Sequence, residues 1–120
     1  MLKDNLIADM TENFALRIIE MYRYLRKEKH EDVMSLQIYR SGTSIGANIS
    51  ESKNAQSKAD FLNKINIALK EANETEYWLR LLKDTTYLDQ NQFVSLYSDC
   101  DELVKMLTSI VKTTKKSIEK

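Results

Sequence analysis

Two side chains are the sole members of their type and could do chemistry near neutral pH: His30 and Cys100. Neither has the company that catalysis needs. Di-iron bundles require Glu-x-x-His pairs on facing helices. His30 sits instead in the charged run Glu28-Lys29-His30-Glu31-Asp32, and no such pair occurs. One cysteine makes neither an intrachain disulfide nor a zinc site, which fits a reducing, cytoplasmic compartment. Cys100 also falls on an apolar helical stripe, where a thiol behaves as a small buried hydrophobe. Ser41-Gly42-Thr43-Ser44-Ile45-Gly46 looks glycine-rich. It lacks the lysine and the preceding strand of a phosphate loop. The expectation is a protein that is not an enzyme, with no catalytic site, metal or cofactor.

The remaining chemistry-bearing residues form two groups. Arg17, Arg23, Arg26 and Lys27, with Tyr24 among them, cluster in one helical segment. Arginines pair with phosphates and a tyrosine stacks on an unpaired base, so these are candidate RNA or DNA contacts. The same residues also read as solvated helix surface. Of Gln37, Arg40, Asn48, Glu51, Glu71, Glu74 and Glu76, several fall on or beside the inward faces of two neighbouring segments. A buried carboxylate needs an opposite charge or several donors. Arg40 facing Glu71 and Glu74 would supply that, as an interhelical network fixing register or as a ligand site.

Helices must position these groups. The chain has 120 residues, 42% of them apolar, with two glycines and no proline. That suits one domain, residues 1–120, with a packed core, and argues against loop-rich sandwiches and barrels. Apolar runs are too short to span a membrane. Met1-Leu2-Lys3-Asp4-Asn5 shows no apolar core behind a basic cap, so no signal peptide is expected. Eighteen basic residues balance eighteen acidic ones. A strong nucleic-acid binder usually carries a net basic domain, which counts against avid binding by a lone monomer.

Apolar spacing of three and four marks four helices. The first runs from about Thr11, or from Asp4, to Lys27, with Ile7, Met10, Phe14, Ile18, Met21 and Leu25 on one face. The second runs from about Asp32 to Lys53 on Met34, Ile38, Ile45 and Ile49. The third runs from about Lys58 to Lys83, capped by Ser57, on Leu62, Ile65, Leu69, Ala72 and Leu79. The fourth runs from about Gln90 to Lys115, opened by the pair Asp89 and Gln92. It carries one column through Leu96, Cys100, Leu103 and Leu107, and a second through Tyr97, Val104, Val111 and Ile118. The second column suits either a deep core position or a seam for another subunit. Short connectors make the arrangement an all-α, antiparallel up-down-up-down four-helix bundle.

Gly42 and Gly46 lie one turn apart, and each costs about 1 kcal/mol of helix propensity relative to alanine. Close approach of another backbone compensates for such a cost. Folding back near residue 55 sets Gly42 opposite Leu69 and Gly46 opposite Ile65 on the third helix.

The second and third helices carry a family resemblance. Gln37 and Arg40, then Ser44-Ile45, Asn48-Ile49 and Glu51, resemble the signature of the bacterial four-helix-bundle proteins encoded in intervening sequences of 23S ribosomal RNA genes. Ser57-Lys58-Ala59-Asp60-Phe61 and the run Ile67 to Leu79, with Glu76-Tyr77, continue it. Two positions depart: Ser52 stands where glycine is usual, and Glu71 where serine is common. The family is similar to the accessory proteins of diversity-generating retroelements. Those form homopentamers and bind nucleic acid and a reverse transcriptase through a basic surface. The resemblance thus implies a homo-oligomer, five copies by that likeness, with RNA or DNA contact and no enzymatic activity.

Overall fold

The computed structural model describes residues 6–119. The opening five residues, read above for a signal peptide and for a helix start at Asp4, lie outside the described residues. Four helices follow in order: α1 (Leu6–Lys27), α2 (Met34–Ser52), α3 (Lys58–Asp84) and α4 (Gln90–Glu119). Each packs on its sequence neighbours, α1 also touches α4, and the backbones of neither diagonal pair come close among the described residues. This is the up-down-up-down four-helix bundle that the spacing predicts, drawn out to 51 × 22 × 21 Å. The α1–α4 seam is the most open of the four.

The helix ends follow local chemistry. Ser57 Oγ accepts the Asp60 N–H at 3.0 Å, capping α3. At α4, Gln92 N–H donates to Asp89 Oδ1 and Asp89 N–H to Gln92 Oε1, at 2.8 and 2.9 Å. Each residue satisfies a donor that the helix start leaves orphaned. The start of α2 is different. Asp32 does not begin it; Glu31 turns inward and accepts from the N–H groups of Val33, Met34 and Ser35 at 3.1, 3.2 and 2.7 Å. Glu31 is buried, and a carboxylate at a helix N-terminus is favoured by both the free donors and the dipole. The connector is therefore not a uniformly solvated charge run.

The core is one cluster drawn from all four helices. Ile7, Phe14, Ile18, Met21 and Leu25 come from α1, and Ile38, Ile45 and Ile49 from α2. Leu103 and Leu107 close it from α4. The second α4 column divides: Val111 is buried, Tyr97 and Val104 pack on the core edge, and Ile118 is exposed.

The glycines pack on α1, not on α3 as the fold-back places them. A Cβ built on Gly42 would sit 2.8 Å from Ile18 Cγ1 and 2.9 Å from Ile18 Cγ2. One on Gly46 would sit 3.3 Å from the Thr11 carbonyl oxygen. Helical geometry explains the difference. Ser41 faces α3, where its hydroxyl lies 2.9 Å from that of Thr75. The next residue is turned by 100°, which carries Gly42 round to α1.

Gly42→Ala should therefore lower stability by about 1–2 kcal/mol, because overpacking against fully buried Ile18 outweighs the gain in propensity. Gly46→Ala, beside an open groove, should stay within about 1 kcal/mol of the parent, propensity offsetting the tighter contact. Urea unfolding of both variants checks the ordering. Glu31→Ala should cost about 1–2 kcal/mol by stripping the start of α2, read by the same titration.

Candidate functional site

The exposed end of α1 gathers the cations. Arg23, Arg26 and Lys27 line an open groove of about 410 Å3 together with Tyr22 and Asp32. Arg26 Nη1 donates to the Tyr22 hydroxyl at 2.7 Å, and Arg26 Nε to Asp32 Oδ1 at 3.4 Å. The guanidinium carbon lies 5.4 Å from the Tyr22 ring centre. The Tyr22 hydroxyl, then Asp32, push the Arg26 pKa above its ordinary value. The Tyr22 ring in turn meets Tyr39 of α2, with centres 4.6 Å apart. Arg23 and Lys27 are exposed and join none of the ion pairs among the described residues.

Arg17 and Tyr24 lie elsewhere. They line a second groove, of about 340 Å3, between α1 and α4, with Met21, Leu88 and Leu96. Arg17 Nη1 donates to Asp99 Oδ2 at 2.6 Å and Arg17 Nη2 to Ser95 Oγ at 2.8 Å. This guanidinium is an internal clamp across the open seam. The aromatic ring beside the other cations is Tyr22, not Tyr24. Tyr22 is four residues before Arg26 and shares its face, whereas Tyr24, though three residues before Lys27, lines the groove beside α4.

Six of the polar residues expected to form a network are dispersed. Arg40 is exposed and joins no ion pair among the described residues. Glu71 is half-buried; burial first, then the charge of Glu74, raise its pKa, with Lys70 opposing. Glu74 accepts from Trp78 Nε1 at 3.5 Å, and Glu51 pairs with Lys64 at 3.4 Å. Asn48 Nδ2 donates to the Ser44 carbonyl of its own helix, and Gln37 is half-buried. The reason is again angular. Arg40 precedes Ser41, so it turns outward as Gly42 turns toward α1. The buried polar link between α2 and α3 is Ser41 with Thr75, whose short hydroxyls gave no charge signal in the sequence.

Cys100 is fully buried and its thiol donates to the Ala72 carbonyl at 3.3 Å. Burial, then the negative charges of Glu76, Asp101 and Asp99, push its pKa far up. No group of three or more metal-ligating side chains occurs among the described residues. No helix is long and apolar enough to cross a membrane among them. Cys100 should resist a thiol reagent such as DTNB at pH 8 in the native protein and react fully in denaturant, because the thiolate is the reactive form.

A family model described as "23S rRNA-intervening sequence protein" matches residues 3–109. Among solved structures, one from Bacteroides thetaiotaomicron is 56% identical, with a TM-score of 0.88. The match covers 89% of this chain and 99% of that one. That structure is described as a protein with unknown function from the S23 ribosomal protein family. No curated protein matches the chain. A shared signature across α2 and α3, a shared bundle and a match over most of the length converge on one conclusion: the chain belongs to the 23S rRNA-intervening sequence protein family.

Proposed function

We propose that this chain is a non-enzymatic accessory protein that self-associates and contacts the backbone of RNA or DNA through the end of α1. The observation that carries the reading is the cluster of Arg23, Arg26 and Lys27, two of which join no ion pair among the described residues. Arg26 is held in place by Tyr22 and Asp32, so less side-chain freedom is lost when it meets a phosphate. The family's name associates its members with 23S ribosomal RNA genes. Three cations per copy bind weakly alone, and assembly repeats them on one particle. Five copies, the number the likeness to retroelement accessory proteins implies, would present the patch five times.

A second reading, a protein scaffold without nucleic-acid contact, rests on apolar side chains left in solvent. Val33 is 72% exposed, Leu16 57% and Tyr77 47%. Both readings require self-association.

Light scattering should give a mass several times 14.0 kDa. Fluorescence anisotropy with a labelled single-stranded RNA should show binding at 50 mM salt that weakens steeply at 200 mM, because displaced counterions drive it. The triple variant R23A/R26A/K27A should lose at least tenfold in affinity and keep its assembly state. An assembled protein that binds neither RNA nor DNA at low salt removes the nucleic-acid reading and leaves the scaffold.

A further inference from the structure

Glu76 is 8% exposed, and its Oε2 is the one buried side-chain oxygen or nitrogen without a hydrogen-bond partner among the described residues. It lies on α3, and the acid that acts on it is Asp101 of α4. Two ionised carboxylates are acceptors only, so neither can satisfy the other. The nearby cations are engaged. Arg80, on the same helix, is the cation that acts on Glu76, but its Nη1 donates to the Tyr97 hydroxyl at 3.2 Å. Lys105 pairs with Asp101 at 3.1 Å and is mostly exposed. The adjacent Cys100 thiol donates its hydrogen bond to the Ala72 carbonyl. Asp99, the third acid near that thiol, is held by Arg17. An orphaned acceptor beside a second carboxylate becomes a donor on taking up one proton.

We propose that Glu76 and Asp101 share a proton, carried on Glu76 Oε2 and donated to the Asp101 carboxylate, and that this bond is a proton-sensitive lock between α3 and α4. Solvent supplies the proton and nothing is oxidised or reduced. Release of the proton leaves two facing anions and loosens the seam. Burial first, then the charge of Asp101 and a hydrogen bond with it, raise the Glu76 pKa, while Arg80 opposes the rise. The direction of the pH effect follows. Between the ordinary glutamate value and the raised one, the native chain holds a proton that the unfolded chain has released. Stability from this pair is then present at low pH and lost as pH rises through the raised value.

Glu76→Gln tests it, since an amide donates to Asp101 at every pH. Melting temperatures from pH 5 to pH 8 should fall more for the parent than for E76Q, so that E76Q is the more stable at pH 8 and the two converge at pH 5. Carboxyl 13C NMR of the parent should show Glu76 titrating above the ordinary glutamate value. Parallel pH profiles, or a Glu76 that titrates at that ordinary value, would overturn the lock, and the NMR arm stands even where E76Q folds poorly. Magnesium or calcium at pH 8 is a third arm. Stabilisation of the parent but not of E76Q would assign the two carboxylates to a metal ion and overturn the shared proton.

Discussion

Ile18 occupies the space where a side chain on Gly42 would be, and the position of α1 depends on that contact. A Cβ there would crowd Ile18, and one turn further on a Cβ on Gly46 would crowd the Thr11 backbone. The opposite flank of α1 is held quite differently. There the seam with α4 is open, and a long arginine reaches across it to Ser95 and Asp99. A partly exposed ion pair of this kind contributes about 0.2–1 kcal/mol, less than a buried aliphatic side chain. Helix α1 is thus seated on α2 and merely tethered to α4. The direction in which Arg23 and Lys27 face follows from that seating, since the buried stripe of α1 leaves them on its outer side.

Helix α2 supplies closeness rather than bulk. Its large buried side chains are Ile38, Ile45 and Ile49; its other buried residues are Ser35, Ser41, Gly42 and Ser52. Small hydroxyls in a core would be costly if unpaired. Here each finds a carbonyl in or just before its own helix: Ser35 that of Glu31, Ser41 that of Ile38 and Ser52 that of Ile49. Ser35 and Ser52 are thus satisfied locally and ask nothing of α1 or α3 beyond shape, while Ser41 also meets the Thr75 hydroxyl of α3. Thr75 repeats the pattern on α3, bonding to the Glu71 carbonyl while touching Ser41.

The fold was legible because the apolar period is strong and the connectors are short. Ser57 and the Asp89–Gln92 pair could be named as caps from spacing alone, and they act as such. What was not legible is which neighbour a given face of α2 meets. A residue step of 100° separates the α1 side from the α3 side, and a helix flanked on both sides leaves that choice to tertiary packing. The same ambiguity set Arg40 toward Glu71 and Glu74 when it points outward. Glu31 was hidden for another reason: glutamate is not a usual cap, and only the bent-back connector brings its carboxylate to three free N–H groups. Of the cationic group, Arg23, Arg26 and Lys27 stay together, because residues three and four apart share a face. Arg17 is six residues from Arg23 and falls outside that face, and Tyr24, though three residues from Lys27, lines the groove beside α4.

A chain of zero formal charge is an unusual vehicle for nucleic acid. Affinity for a polyanion, however, depends on the phosphates a patch can neutralise, and screening confines each charge to about 8–10 Å at ordinary salt. Over that range the sum over the whole chain matters less than the arrangement of its parts. Acidic partners engage Arg17 and Arg26 and leave Arg23 and Lys27 facing solvent. Assembly multiplies such a local excess without changing the net charge of zero. A neutral monomer and a phosphate-binding oligomer are therefore compatible when copies set their free cations on one surface, and self-association becomes the step on which nucleic-acid contact would depend.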